Sequence, residues 1–141
     1  VAESSDCIFC KIIQGDIPAE KIYEGDQVLA FLDVGPLSDC HTLVIPKFHC
    51  ARLDQCPAEF LAAIAKSLPM IASAVVETVD ADGYNVLSNT GRAAGQLVGH
   101  LHFHVIPRHT GDGLFKSWPA NKYKEGEIKQ FAKKIRQNIQ S

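Results

Sequence analysis

Six histidines and five cysteines carry most of the chemistry open to this sequence. The densest stretch is GHLHFHVIPRH, residues 99–109, where His100, His102 and His104 alternate with Leu101, Phe103 and Val105. Histidine titrates near neutral pH and is the commonest metal ligand. Three in register therefore admit three readings: a metal site, a row of catalytic groups, or the polar face of a half-buried strand. Alternate side chains of a strand share a face, so His100, His102, His104 and Ile106 are expected on one side. Leu101, Phe103 and Val105 are expected on the other, against the core. Same-face neighbours lie about 6.5–7 Å apart, whereas zinc–nitrogen bonds are about 2 Å. Two of the three could chelate one ion, and all three only if the strand bent sharply. The row reads as several separate jobs.

Just before it lies NTGRAAGQ, residues 89–96. Gly91 and Gly95 allow backbone N–H groups to close on an anion, and Gln96 adds an amide. An imidazole beside such a cradle suggests nucleophilic attack on phosphorus, because neutral histidine is a fair nucleophile and a covalent intermediate splits one hard displacement into two easier ones. A third stretch, CIFC, pairs Cys7 with Cys10. Alone it is half a zinc site, a redox pair or coincidence. A redox pair would normally open a helix in a βαβ setting, and no such setting is legible here. Cys40, Cys50 and Cys56 lack partners at ligand spacing and read as small buried thiols.

The elements that must position these groups follow from periodicity. Residues 22–34, IYEGDQVLAFLDV, read as a hairpin turning at Glu24-Gly25-Asp26. HTLVIP (41–46), YNVLS (84–88) and LHFHVIP (101–107) read as further strands. Pro57 suits the first position of a helix reaching about Val79. Its residues Phe60, Leu61, Ile64, Leu68, Ile71, Val75 and Val79 follow helical spacing, and Pro69 is expected to kink it. Residues 110–123 form a loop punctuated by Gly and Pro. A last helix covers roughly 125–140, with Ile128, Phe131, Ile135 and Ile139 on one side. The class is α+β: about five antiparallel strands and two main helices in one domain, 1–141.

Composition narrows the function. The chain has 141 residues, 46% of them hydrophobic, and a net charge of −2 with no basic block, which argues against disorder and against a phosphate-tracking nucleic-acid surface. The apolar stretch FLAAIAKSLPMIASAVV is interrupted by Lys66 and Pro69 and reads as unsuited to span a bilayer. An odd cysteine count, with no basic-then-apolar leader in VAESSDCIFC, leads to the expectation of a soluble cytoplasmic protein.

QLVGHLHFHVIPR, with its alternating histidines and hydrophobics after Gly-Gln, closely resembles the signature of the histidine triad (HIT) family of nucleotide hydrolases and transferases. CIFCKIIQGDIPAEKIYEGDQVLAFLDV, HTLVIPKFH and the GDG of 111–113 also resemble it, especially its phosphoramidase-like, Hint-type branch. The resemblance spans nearly the whole chain and implies a HIT-like fold whose sheet continues across a homodimer, with the 57–79 helix and its Met70 and Ile71 at the interface. It implies His102 as the nucleophile on the α-phosphorus of a purine nucleotide, with His104 on the phosphate and His41 beside the triad. Asn89, Gly95, Gln96 and the Leu97 amide would cradle the phosphate and leaving group. Asp33 would meet the ribose, though a turn or capping Asp is the plainer reading of that residue. Ile8, Phe9, Ile12 and Phe31 would wall the base, though Phe9 and Phe31 also suit plain core packing.

Some members carry structural zinc, and by motif position Cys7, Cys10, His49 and His100 would hold it here; no catalytic metal is implied. The implied reaction is hydrolysis of a purine nucleoside 5′-phosphoramidate to AMP and an amine. The alternatives are a dinucleoside polyphosphate hydrolase and a zinc-stabilised nucleotide-binding scaffold with weak catalysis. Two departures stand out. Leu97 replaces a Ser or Thr that assists the leaving group in most relatives, and Trp118 is out of register with the C-terminal Trp of the Hint-type branch.

Overall fold

The computed structural model describes residues 5–140; residues 1–4, part of the stretch read for a leader, lie outside them. Five strands form one antiparallel sheet: β1 (Lys21–Glu24), β2 (Val28–Leu32), β3 (Thr42–Pro46), β4 (Gly83–Leu87) and β5 (Phe103–Arg108), in the order β1-β2-β3-β5-β4. The strands match the sequence expectation to within two residues at each end. The hairpin turns where Glu24-Gly25-Asp26 predicts, closed by the Gly25 amide on the Val28 carbonyl at 2.9 Å.

β2 and β3 are apolar almost throughout because both faces of the sheet are covered. Leu29, Phe31, Leu43 and Ile45 pack with α1 (Ile8–Gln14), while Val28, Ala30, Val44 and Val105 pack with α2 (Ala58–Val79). α1 was not legible from the sequence, since seven residues are too few to display a period. Cys7 caps it, its Sγ accepting from the Cys10 amide at 3.4 Å, and Gly15 ends it at φ 87°, the left-handed conformation glycine adopts freely. The CIFC pair therefore does open a helix, contrary to expectation, but the sheet around it is antiparallel, so the βαβ setting of a redox pair is absent.

Pro57 caps α2 rather than beginning it, and the helix continues through Pro69, which lies on its exposed side. At 22 residues with a mean hydropathy of 1.6 in its most apolar part, α2 is long and apolar enough to cross a bilayer, which corrects the sequence reading. One stripe of it packs on the sheet: Ile64, Ile71, Ala72 and Val75 are buried against β2, β3 and β5. α3 (Glu127–Gln140) follows the expected bounds, yet Ile128, Phe131, Ile135 and Ile139 all remain exposed.

Candidate active site and metal centre

The histidine row is not one regular strand. β5 begins only at Phe103, so the chain bends through His100 and His102 before it straightens. The bend sends the three rings into two neighbourhoods, as the spacing argument requires. His100 is fully buried behind α1. His102 and His104 line a cavity of about 380 Å³ between α1, β2 and the 89–98 loop.

His100 belongs to a cluster with Cys7, Cys10 and His49 whose four donor atoms all lie within 4.8 Å of one another. The His100 Nε2 faces the Pro46 carbonyl at 3.0 Å. A carbonyl only accepts, so Nε2 carries the proton and Nδ1 presents its lone pair. That Nδ1 lies 3.4 Å from Cys7 Sγ and 3.6 Å from Cys10 Sγ, and His49 Nδ1 lies 3.4 Å from Cys10 Sγ. Tetrahedral zinc, with bonds of about 2.3 Å to sulfur and 2.0–2.1 Å to nitrogen, separates such ligands by roughly 3.6 Å. The donor set and its spacing fit a structural metal ion. Burial pushes the His100 ring down to about 4, with His49 and His102 adding to the effect against the Pro46 hydrogen bond.

The proton position at His102 is the reverse. Its Nδ1 meets the His100 carbonyl at 2.7 Å and must donate, which leaves Nε2 as the free lone pair. Phe9 stands edge-on to the ring at 5.2 Å between centroids, and Ser88 Oγ donates to the His102 carbonyl at 2.8 Å. Behind them runs a chain of fixed protons. The Leu37 amide donates to His41 Nδ1 at 3.0 Å, so His41 carries its proton on Nε2 and donates to His104 Nδ1 at 2.8 Å. Burial lowers the His41 pKa, Asp33 opposing and His102 adding to the shift. Burial, with His102 and His41, lowers His104 to about 4. Both rings are neutral at pH 7, and His104 is left with an Nε2–H to offer.

Asp33, His41 and His104 also place ligand-type atoms within 4.8 Å of one another. The tautomers argue for a relay instead of a metal: a protonated Nε2 cannot ligate, and 2.8 Å suits a hydrogen bond where two zinc-bound nitrogens would stand about 3.3 Å apart. Asp33 Oδ1 closes a turn on the Gly35 amide at 2.8 Å, as the turn reading expects, and the residue lines the cavity.

Ile8, Phe9, Ile12, Phe31, Asn89, Gly95 and Leu97 line the same cavity, as anticipated. Phe9 and Phe31 meet edge-to-face at 5.5 Å and are buried, so they serve core and wall together. Ile17, Val34, Leu43 and Val98 also line it and were missed. Leu43 was recoverable by alternation from the neighbouring strand, but the others sit in loops that carry no period. His41 is buried behind His104, and Gln96 lies outside the lining. Leu97 is 96% exposed at the rim. Trp118 is exposed in the 110–126 loop and does not line the cavity.

The sequence profile of the HIT domain matches residues 14–111. The chain is 43% identical to the adenosine 5′-monophosphoramidase of Schizosaccharomyces pombe, over 94% of this chain and 98% of that protein. A solved protein of Streptococcus mutans superimposes with a TM-score of 0.93 at 37% identity, covering 98% of this chain and 88% of that one. A zinc-bound histidine triad family protein of Mycobacterium smegmatis does so at 0.75 and 40% identity, covering 98% and 99%.

Proposed function

The chain belongs to the HIT domain family and is a nucleotide hydrolase of that family, and from this premise we propose that it hydrolyses purine nucleoside 5′-phosphoramidates to AMP and an amine. The observation that carries the reading is the Nε2 lone pair of His102, held inside the cavity by the Nδ1 hydrogen bond to the His100 carbonyl. The base lies against Ile8, Phe9, Ile12 and Phe31, and the ribose hydroxyls meet Asp33. Asn89, Gly95 and the Leu97 amide surround the phosphate. Nε2 attacks the α-phosphorus, a nitrogen–phosphorus bond forms, and the bond to the leaving amine breaks as that amine takes a proton from solvent, which the later attack of water returns. His104 donates Nε2–H to a phosphoryl oxygen, where charge grows in the transition state. Water then attacks the nucleotidyl-histidine, returning His102 and releasing AMP. The metal cluster, which we read as zinc, would hold α1 and the His100 carbonyl in place and supply no chemistry to the cavity.

The test is turnover of adenosine phosphoramidate against diadenosine tri- and tetraphosphate. Phosphoramidate preference supports the reading, polyphosphate preference establishes the dinucleotide alternative, and binding without turnover establishes the scaffold.

A homodimer belongs to the same proposal. β4 is an open edge of the sheet, Tyr84 and Val86 on it are exposed, and Met70 of α2 is half exposed. Ile71, expected at that interface from the sequence, is instead 2% exposed in this chain's own core. A monomer mass by light scattering at micromolar concentration would refute the dimer. We also propose a reducing, cytoplasmic setting, on the odd count of five cysteines.

A further inference from the structure

The residue of the phosphate loop that does not reach the cavity is Gln96. Three hydrogen-bond donors belong to it, and all three are used inside the chain. Its backbone N–H donates to the Gly91 carbonyl at 3.1 Å. Its Nε2 donates to the Ala51 carbonyl at 2.7 Å and to the Val98 carbonyl at 3.1 Å. Its Oε1 accepts from the Gly91 amide at 2.8 Å. The orientation of the amide is unambiguous, because a backbone N–H can only donate and a carbonyl can only accept. No N–H of Gln96 is left for a phosphate oxygen.

What these bonds join is informative. Gly91 and Gly95 bracket a single 3-10 turn, Arg92–Ala94, with φ of 86° and 94°. Gln96 ties the start of that turn to its end. It also ties the turn to Ala51, two residues beyond the metal-cluster residue His49. The adjacent Cys50 carbonyl accepts from the Leu101 amide at 2.7 Å, next to His100. One short backbone segment, 50–51, is thus shared between the metal cluster and the loop that presents Gly95 and Leu97 to the cavity.

We propose that Gln96 is a positioning residue: its side chain latches the 91–97 loop onto the backbone beside the metal cluster and makes no hydrogen bond to substrate. This rests on the reading of that loop as the phosphate cradle. Breaking the latch leaves the Gly91 amide and the Ala51 carbonyl unpaired and lets the loop open, so the cradle is disordered before substrate arrives. The cost falls on the phosphate common to every substrate, not on one leaving group.

The experiment uses Gln96→Met, which keeps the volume and loses the hydrogen bonds, with Gln96→Ala beside it. Amide exchange in nucleotide-free protein and steady-state turnover are measured on wild type and variants. The expected result is that the Gly91 amide loses protection by about tenfold or more while β3 amides keep theirs, which separates the effect from unfolding. kcat/KM should fall roughly ten- to a hundredfold, by the same factor, within about threefold, for adenosine phosphoramidate and diadenosine tetraphosphate. A fall in turnover with Gly91 exchange unchanged would mean that Gln96 touches the substrate, and so would a loss confined to one leaving group. Faster Gly91 exchange with unchanged turnover would overturn the latch as a device for the reaction. AMP added to wild type must shift the Leu97 amide resonance. Without that shift the loop reading falls and takes the latch with it, whereas a shift with unchanged Gly91 exchange overturns the latch alone.

Discussion

His100 and His102 sit two residues apart, both buried, at 0% and 6% exposure, yet they carry their protons on opposite ring nitrogens. His100 donates from Nε2 to Pro46 and turns Nδ1 to two thiols; His102 donates from Nδ1 to His100 and turns Nε2 to the cavity. Each ring is assigned its job by which nitrogen a backbone carbonyl occupies. The two regions also differ in what surrounds the free nitrogen. Around His100 there are soft ligands at metal spacing. Around His102 there are an apolar wall, a glycine-bracketed loop and the fixed donor of His104. Hydrogen bonding and surroundings together thus divide like residues between the Cys/His cluster and the cavity.

The division can be broken most severely on its chemical side. His102→Ala should lower turnover by roughly a thousandfold or more while AMP affinity stays within about threefold, since a covalent nucleophile acts in the chemical step. Rates near wild type would remove the nucleophile assignment. Metal content should be unchanged in this variant, because His102 contributes no donor to the cluster.

Breaking the structural half should have the opposite signature. Wild type should carry one zinc per chain by elemental analysis, and Cys7→Ala or Cys10→Ala should lose it. Loss of a structural metal belongs to the largest single-site effects, about 4 kcal/mol or more, and should lower the melting temperature by roughly 10–20 °C. Brief chelation of wild type should lower stability before it lowers the specific activity of protein still folded. A metal-free wild type of equal stability would refute the cluster as a zinc site.

The relay behind the cavity offers a finer cut. His41→Ala removes the donor that fixes the proton of His104 on Nε2. Turnover should fall about ten- to a hundredfold with metal content intact. An unaffected rate would show that His104 finds its tautomer unaided.

Leu97→Ser restores a hydroxyl at the rim. One neutral hydrogen bond, about 0.5–1.5 kcal/mol net, is worth a few-fold to about tenfold in rate. The gain should be larger for phosphoramidates than for dinucleoside polyphosphates, because an amine must collect a proton to leave and a nucleotide phosphate need not. An unchanged ratio of specificity constants would mean that the backbone amide alone serves the leaving group.

The smallest effect is on pH. His41 and His104 are held below the ordinary histidine pKa in the fold, His104 at about 4. Between about 6.5 and 4 the unfolded chain therefore binds more protons than the folded one, and stability must fall as pH is lowered through that window. Thermal melts at stepped pH check this; a flat profile would mean that neither ring resists protonation.

Much of this division was legible before any coordinates. The strand spacing argued for separate jobs within the row, and the family resemblance put His100 with Cys7, Cys10 and His49, which meet in one cluster. Ile8, Phe9, Ile12 and Phe31, which the resemblance implied as a base wall, line the cavity beside His102. The resemblance placed Gln96 on the phosphate. Its side-chain amide turned out to be spent, since Ala51 and Gly91 approach it first. Ile71 was placed at a surface because a helical stripe does not say how wide its buried sector is.

The sequence by itself determined the class of fold, the strands and long helices, and the residue types of both clusters, because period and spacing are local properties. The tertiary structure decided which nitrogen is free on His100 and on His104, whereas His102 is fixed by the His100 carbonyl two residues away. The partners that settle it arrive from elsewhere in the chain: Pro46 for His100 is 54 residues away, and His41 for His104 is 63. A tautomer is set by a neighbour within hydrogen-bond reach, and no local pattern in the sequence specifies that neighbour.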